Sequence, residues 1–586
     1  MKPSHLLVLL FVCSGCNQAP PTPPTPIVDL VVDANRSGLL EPGDPTEDTA
    51  AAKNTWDAHH GAVFLANLDD DDGDGKADAE DDVVNGQSDI ADLSPIAVRA
   101  WPKAPREVTG VLSVDALSLD KVRLFRVNGP ADQPGSYVKV EQPQAIALTN
   151  ADLVAGVSFA IEGLDLVSST APDAWTGMVQ LTLTVTNAKT KEMFTDAAKL
   201  RVAPLILQFN TAKTDAVFFT NAGADTQTLS DGMMLAQLDA PITALDLQGL
   251  GLEVDVWAQD FFDVGWTSKP GPNGTEVGMR IAIRSAQPDR TAGDVTTKHF
   301  LGPDFGAVFK YGNIAAASDS SYSMNSFGDW DVIPPYTKGA DEYPLGRNYW
   351  GATGVAATSP DATFQDFYRA QRVQPEINVD TSWLLVGHVD EFSSWVKTNT
   401  PRGWGMLAGS PKLARDMLLG MQMAGHGAVK MFDGKTAYDN NGNASPAGIA
   451  IDDVLANADL MAESQAAQTH IDDAVMKLET EIGLDPTEVT QMPFLIEKVY
   501  GAGLAYQPGT VNLLFVDGKV VIPDPFGPII DGVDPFKEDL KKRLGDLGLD
   551  VHFADDWDTF HEGEGEVHCG TNVARNLQLA WWGTGR

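Results

Sequence analysis

Three short runs of this chain carry groups that could work on one substrate. Cys569 stands in Gly565-Glu566-Val567-His568-Cys569-Gly570-Thr571-Asn572, and the other two cysteines fall within the first 16 residues. Gly387-His388-Val389-Asp390-Glu391 places a histidine and a carboxylate two residues apart, and Trp257-Ala258-Gln259-Asp260 supplies an aromatic ring and a second carboxylate. A thiolate needs a proton partner and electrostatic help near neutral pH, so a lone thiol with histidine and aspartate elsewhere in the chain is a candidate nucleophile. Two carboxylates beside it suit a planar cation with several donors, and the guanidinium of arginine is such a group. The spacing of His388 and Asp390 predicts a short strand with both side chains on one face.

A second concentration of oxygen ligands lies in Asn67-Leu68-Asp69-Asp70-Asp71-Asp72-Gly73-Asp74-Gly75-Lys76-Ala77-Asp78-Ala79-Glu80-Asp81-Asp82. So many carboxylates cannot pack together without a counter-ion, and the glycines let the chain wrap so that several oxygens converge. Asp70, Asp72, Asp74 and Asp78 have the alternation of an EF-hand loop, but the flanks lack the helical periodicity that an EF-hand needs. Calcium is the expected ion.

The elements that must position these groups fall into two textures. Residues 28–205 read as short strands: Val28 to Val32, Val122 to Val127 and Val179 to Val185 alternate with period two between turn residues, which suits an immunoglobulin-like β-sandwich. Residues 206–586 read as mixed α/β. Ser410-Pro411 opens a helix that runs toward Gly425 with Leu413, Met417 and Met421 on one apolar face, residues 451–482 form one or two helices, and Asp517-Gly518 turns a hairpin. Residues 1–27 read as a signal segment and a tether. A short apolar run leads to Ser14-Gly15-Cys16, which resembles a bacterial lipobox with Cys16 as the lipidated residue, and a proline-rich stretch follows. The expected location is extracytoplasmic, as a lipoprotein of the cell envelope or otherwise secreted, with Cys16 as the sole route to a membrane. The 586 residues carry a net charge of −40, which argues against nucleic acid as a partner and favours basic peptides or bound cations.

Residues 387–391, Gly302-Pro303-Asp304-Phe305-Gly306, Glu342 to Arg347, Pro525-Phe526-Gly527-Pro528 and residues 565–572 together resemble the catalytic domain of the protein-arginine deiminases, in that family's order. The resemblance implies a five-bladed α/β propeller (the pentein fold) and calcium-dependent hydrolysis of peptidyl arginine to peptidyl citrulline. It implies Cys569 as the nucleophile, His388 as the general acid/base, and Asp260 and Asp390 as the guanidinium-binding carboxylates. Trp257 and Val386 would wall the substrate's stem, and Arg290 would hold its backbone carbonyls. It also implies calcium on Asn67, Asp69, Asp71, Asp78, Asp81, Asp89, Asp92 and Asp304, and again on Gln259, Asp263, Asp331 and the carbonyls of Phe327 and Trp330. A second calcium site of the catalytic domain meets Phe261 where the family has glutamate. Gly563 stands where the family has a loop arginine, which would open the pocket entrance. Only 27 residues precede the first strand, so the resemblance covers the family's middle and catalytic domains. Two alternatives stay open: a deiminase of free arginine or another small guanidine, and a non-catalytic calcium-dependent binding protein of the cell surface. Arg290 and the calcium-binding sandwich favour a peptide or protein substrate.

Overall fold

The computed structural model describes residues 26–310, 320–352, 359–438, 442–576 and 580–585. The signal segment and Cys16 lie outside the described residues. Residues 30–202 build two five-stranded sheets. One has the order Leu30–Val32, Ser94–Val98, Val157–Gly163, Val122–Val127, Tyr137–Lys139, and the other Ala62–Phe64, Met193–Val202, Met178–Asn187, Val108–Val114, Ile146–Leu148. The period-two pattern decides which side chains face inward. Val179, Leu181, Leu183 and Val185 alternate with half-exposed neighbours along one strand and pack with Leu124, Phe159 and Ile161 of the facing sheet. Pairing is antiparallel except where Met193–Val202 runs parallel to Ala62–Phe64.

From residue 206 one strand pattern recurs in five sheets among the described residues. In each, a first strand pairs antiparallel with a second, and the second pairs parallel with a third. The sets are Phe262–Gly271, Thr275–Arg284 and Phe305–Val308; Trp330–Ile333, Arg347–Gly351 and Glu376–Val379; Ser393–Lys397, Trp404–Gly409 and Val489–Met492; Leu514–Val516, Lys519–Pro523 and Asp550–Ala554; and Thr571–Asn576, Lys213–Thr220 and Ile242–Leu245. A parallel pair needs a crossover. Helical segments supply it: Ala362–Gln371, Ala458–Ile482, Pro535–Asp546 and Gln227–Leu235 in four of the sets, and a short irregular helical stretch over 291–300 in the other. The last set joins the C-terminal strand to strands near residue 213, so the two ends of this region share one sheet.

The Ser410 helix spans Pro411–Met421, with the Ser410 side chain accepting from Leu413 N at 3.2 Å, and its last turns pass into a π-turn in which Gly425 takes a φ of +93°. Leu418 and Met421 pack on Phe432, Ile451 and Trp557, so the apolar face is core. No helix among the described residues is long and apolar enough to cross a membrane.

The sandwich and the α/β region share a core, and Gln371 at the end of its helix ties them. Its side chain accepts from Leu205 N at 3.0 Å and donates to Val167 O at 2.7 Å, while its carbonyl accepts from Arg201 Nη2 at 3.1 Å. Replacing Gln371 with alanine strands a buried amide and a buried carbonyl, at a cost of roughly 1–3 kcal/mol per group left unpaired. Gln371→Ala is therefore expected to lower the melting temperature by several degrees, and a melt equal to the parent's would refute this role for the amide.

Candidate active site

The loops that lead into the first strand of each of the five sets converge on one place. Asp260 lies in the turn of helix Ala258–Phe261 before Phe262, residues Phe327–Asp329 form a turn before Trp330, and His388, Asp390 and Glu391 precede Ser393. Asn512 precedes Leu514, and Cys569 precedes Thr571. Asn572 fastens two of these loops together, since its amide donates to Ala258 O at 3.2 Å and Phe262 O at 2.6 Å, and Gln259 N donates to Cys569 O at 3.1 Å.

Cys569, His388 and Asp390 are all buried. The Cys569 Sγ lies 3.5 Å from Asp390 Oδ2 and accepts from Asn512 Nδ2 at 3.2 Å. Burial pushes the thiol well above its ordinary value; the negative charges of Asp390 and Asp260 add to this, and the Asn512 amide partly opposes it. His388 Nε2 lies 2.8 Å from Ser326 Oγ and 3.0 Å from the Ser323 carbonyl, so in the neutral ring this nitrogen carries the proton. That leaves Nδ1 as the basic nitrogen, facing Asp260 Oδ1 at 3.9 Å. Burial raises the Asp260 carboxyl, and the Arg290 guanidinium pulls it back. Asp260 Oδ1, Asp390 Oδ1 and His388 Nδ1 are buried polar atoms with no hydrogen-bond partner.

The run at 387–391 is not a strand. Residues Val389–Glu391 form a 3-10 turn because the buried Glu391 carboxylate accepts from both Gly387 N at 2.9 Å and His388 N at 2.8 Å, and Gly387 supplies a φ of +92°. His388 turns to the two serines and Asp260, whereas Asp390 turns to His568 and Cys569. The two side chains thus stand on opposite sides of the site instead of sharing a face. Trp257 is half-buried and meets Phe560 edge-on at 5.6 Å. Its indole fills the space beside Gly563 and Gly565: a Cβ at Gly565 would collide with the ring, and one at Gly563 would fall 3.1 Å from it. Gly563 therefore leaves room for the Trp257 ring. Val386 is half-buried, and its carbonyl accepts from Ser323 Oγ at 2.8 Å. Arg290 is turned inward. Two half-buried carboxylates within reach draw its guanidinium to Asp255 and to Asp260.

Sequence reasoning missed Asn512, His568, Asp255, Ser323 and Ser326. Asn512 Oδ1 also accepts from the backbone amides of His568 at 2.9 Å and Cys569 at 3.2 Å, so one side chain fixes the nucleophile's loop and its sulfur. His568 Nδ1 lies 2.8 Å from Asp390 Oδ2; burial works against its imidazolium, but Asp390 outweighs that and holds His568 above its ordinary value. The recurring position one or two residues before a first strand was the available signal for Asn512.

The oxygen-rich sites fit hard cations. Oxygens of Asp69, Asp71 and Asp92 lie within 4.8 Å of one another, and Asn67 Oδ1, Asp69 Oδ1 and both Asp71 oxygens have no partner. Asp304 joins them through its backbone amide, which donates to Asp69 Oδ2 at 3.0 Å. Asp78 accepts from Asp71 N at 3.2 Å, and Asp89 accepts from Asn67 Nδ2 at 3.0 Å. Asp81 points elsewhere, its carboxylate taking Val83 N at 2.8 Å and Asn85 Nδ2 at 3.3 Å. Near the thiol, Gln259, Asp263, Trp330 and Asp331 line one cavity with His568, and the Gln259 amide reaches the Phe327 carbonyl at 3.4 Å. Phe261 packs in an apolar cluster with Phe218 and Phe262 and offers no oxygen at the position where the family has glutamate.

Two outcomes follow from these charges. The reactive form of a cysteine is the thiolate, so the rate of alkylation of Cys569 by iodoacetamide, read by peptide mass spectrometry, is expected to keep rising beyond pH 9; a plateau at or below pH 8 would contradict the raised thiol. In the acidic run, burial and mutual repulsion lift Asp71 to about 6, Asp69 to about 7 and Asp78 to about 8. A carboxyl whose folded value lies above its unfolded one stabilises the fold while protonated, and this contribution is lost as pH climbs through 6 to 8. In chelator the melting temperature is expected to fall across that window, and calcium should remove most of the fall by binding the ionised native cluster. Equal melts with calcium and chelator at pH 8 would mean that the cluster is only solvated.

Comparison with known proteins gives the family. The family profile described as "Protein-arginine deiminase (PAD)" matches residues 192–583, and that of the "Protein-arginine deiminase (PAD) middle domain" matches residues 27–187. The chain is 29% identical over 581 residues to protein-arginine deiminase type-4 of Mus musculus, covering 95% of this chain and 82% of that one. It is 31% identical over 575 residues to the type-3 protein of Mus musculus, with the same coverage of 95% and 82%. Among solved structures, the agmatine deiminase of C. jejuni aligns at a TM-score of 0.36 and 11% identity, over 64% of this chain and 98% of that one. With one family profile spanning most of its length and the middle-domain profile the rest, the chain belongs to the protein-arginine deiminase family.

Proposed function

We propose that this protein hydrolyses peptidyl arginine to peptidyl citrulline and ammonia through a covalent intermediate on Cys569. The observation that carries this reading is the set of buried, unpartnered acceptors, Asp260 Oδ1, Asp390 Oδ1 and His388 Nδ1, around a thiol. A guanidinium is planar, charged and rich in N–H donors, so it matches two facing carboxylates better than an ammonium would. In this reading the five strand sets are blades of a pentein propeller behind an immunoglobulin-like sandwich of residues 28–205, with the catalytic region at 206–586. The convergence of the five pre-strand loops supports that arrangement.

The chemistry follows from the positions. Asp260 and Asp390 hold the guanidinium plane, which sets its carbon against Sγ. The positive charge of the substrate opposes the two carboxylates that keep the thiol protonated, so substrate binding itself favours the thiolate. The Sγ proton passes to His388 Nδ1 as Sγ attacks the carbon to form a C–S bond. The C–N bond then breaks, and the departing amine takes a proton from His388 to leave as ammonia, giving an amidino-thioether. His388 Nδ1 next takes a proton from a water that attacks the same carbon; the C–S bond breaks and citrulline leaves with the thiol restored. Asn512 orients the sulfur, and the Ser323 and Ser326 contacts fix the His388 ring. Calcium would be held by Asn67, Asp69, Asp71, Asp92 and Asp304, and by Gln259, Asp263 and Asp331 with the carbonyls of Phe327 and Trp330. When bound it would neutralise carboxylates that otherwise repel one another. Export, with a lipid anchor at Cys16, completes the proposal.

Cys569→Ala is expected to abolish citrulline formation with an unchanged melt, and His388→Ala to lose about 10²–10⁴-fold or more. More than a few per cent residual rate for Cys569→Ala in a clean preparation would sink the covalent route. A blocked arginine peptide is expected to have a much higher kcat/KM than free arginine, measured as citrulline released. The reverse order would favour the small-guanidine reading while leaving the hydrolysis itself intact.

A further inference from the structure

Arg290 is the cation that pairs with Asp260, one of the two carboxylates assigned to the substrate. Its Nη1 lies 3.1 Å from Asp260 Oδ2, its Nε 2.6 Å from Asp255 Oδ2 and its Nη2 3.0 Å from Asp255 Oδ1, and Gln287 Oε1 stands 3.2 Å from Nη1. Its side chain is 16% exposed, and those of Asp255 and Asp260 are each 13% exposed. The guanidinium also lies over the Phe261 ring at 6.0 Å. A guanidinium thus already rests on one of the two carboxylates that would clamp the substrate's guanidinium. Asp255 makes this arrangement stable, because its two oxygens match the Nε and Nη2 edge of Arg290 and leave Nη1 aimed at Asp260. Arg290 is brought there by a short stretch: it caps the turn Thr291–Asp294, and Gln287 anchors the same loop through its amide to Tyr322 O at 3.0 Å.

We propose that Arg290 is an internal competitor for the substrate's guanidinium, resting on Asp260 and leaving it only for a substrate that offers Arg290 other acceptors. This rests on the functional reading above and adds how the site selects. A substrate that needs both oxygens of Asp260 must displace Arg290 Nη1 from Oδ2. A bare alkylguanidine does so and takes the Asp260 partner from a half-buried Nη1 that keeps only Gln287 Oε1, which is unfavourable. A peptide brings main-chain carbonyls beside its arginine stem, and Arg290 can keep its Asp255 pair while turning Nη1 to such a carbonyl. Selection for arginine within a chain then comes from what the displaced Arg290 can bind, as well as from the attraction of the site for the peptide itself. Rejection of small guanidines is built into the resting site, as a repulsive element that a purely attractive backbone contact would lack.

The test uses the full chain with Cys569→Ala and titrates it with butylguanidine and with benzoyl-arginine amide by calorimetry in calcium buffer. Adding Arg290→Met is expected to tighten butylguanidine at least tenfold and to weaken, or tighten less, the blocked arginine, so that the preference for the peptide analogue falls at least tenfold. With Cys569 restored, kcat/KM for butylguanidine should rise in parallel, through KM. Because Arg290→Met leaves carboxylates unpaired and could disturb folding, the double variant Asp255→Asn/Arg290→Met removes one cation and one anion together, and the same shift is expected of it. Butylguanidine affinity within twofold of the parent, or lower, in the variants that melt normally would overturn the proposal, and a purely structural role for Arg290 would weaken both ligands alike. If the wild-type enzyme fails to turn over the blocked arginine while butylguanidine still tightens in the variants, the competitor stands and the peptidyl reading fails.

Discussion

The concentration of carboxylates inside this protein is the constraint on which the rest depends. Asp260, Asp390, Glu391, Asp329, Asp263 and Asp331 come together in the interior of the α/β region, and burial lifts Asp329 and Glu391 well above the ordinary carboxylate value. An isolated buried carboxylate is costly to ionise, so each of these must be protonated, hydrogen-bonded or met by a cation. The chain answers with different devices at different places. One oxygen of Glu391 accepts from two backbone amides and so shapes the turn at 389–391, Asp329 accepts from Gly351 N at 2.9 Å, and Arg290 pairs with Asp255 and Asp260. What is left unpaired faces the thiol. That remainder is what the proposed function assigns to a guanidinium.

The same logic operates between the sandwich and the catalytic region. The Asp69–Asp71–Asp92 cluster belongs to the sandwich, but Asp304 comes from the α/β region, as does Lys269, which is buried and donates to Leu93 O at 2.5 Å. Burial lowers the Lys269 ammonium to about 8, and the Asp92 charge pulls against that. Any cation bound by this cluster would be held by oxygens from both regions, so its binding energy would also hold the two together. The acidic balance of the whole chain, 81 acidic against 41 basic residues, is in part the sum of these sites.

Repetition explains how five distant stretches reach one point. In each strand set the few residues before the first strand lie at the same end of the sheet, so the fold delivers Asp260, the Phe327 turn, His388 with Asp390, Asn512 and Cys569 from corresponding loops. Side chains there need only be chosen for chemistry, since the strand that follows each one is locked by its antiparallel pairing with the second strand of its set. Asn512 and Asn572 illustrate the secondary requirement: loops that carry reactive groups must be tied to one another, and an asparagine does so with a donor and an acceptor in one side chain.

Residue type and order alone determined much of this protein. A lone thiol, a histidine and paired carboxylates declare their chemistry wherever they fall in the chain, period-two strands such as Met178–Asn187 declare their inward face, and a serine-proline start declares a helix. The tertiary structure decided the rest, because it depends on contacts between residues far apart in sequence. Whether 387–391 is a strand or a turn was settled by a buried glutamate collecting two amides, which the alternation of residue types does not reveal. Asn512 became a partner of Cys569 across 57 positions, and the glycines at 563 and 565 acquired their meaning from the Trp257 ring, some 300 residues away. The family resemblance pointed to Arg290 through its spacing from Gly302, but its partners were not legible in the sequence. Which carboxylates a guanidinium meets is fixed by where burial has left acceptors unpaired, and only the assembled interior sets that.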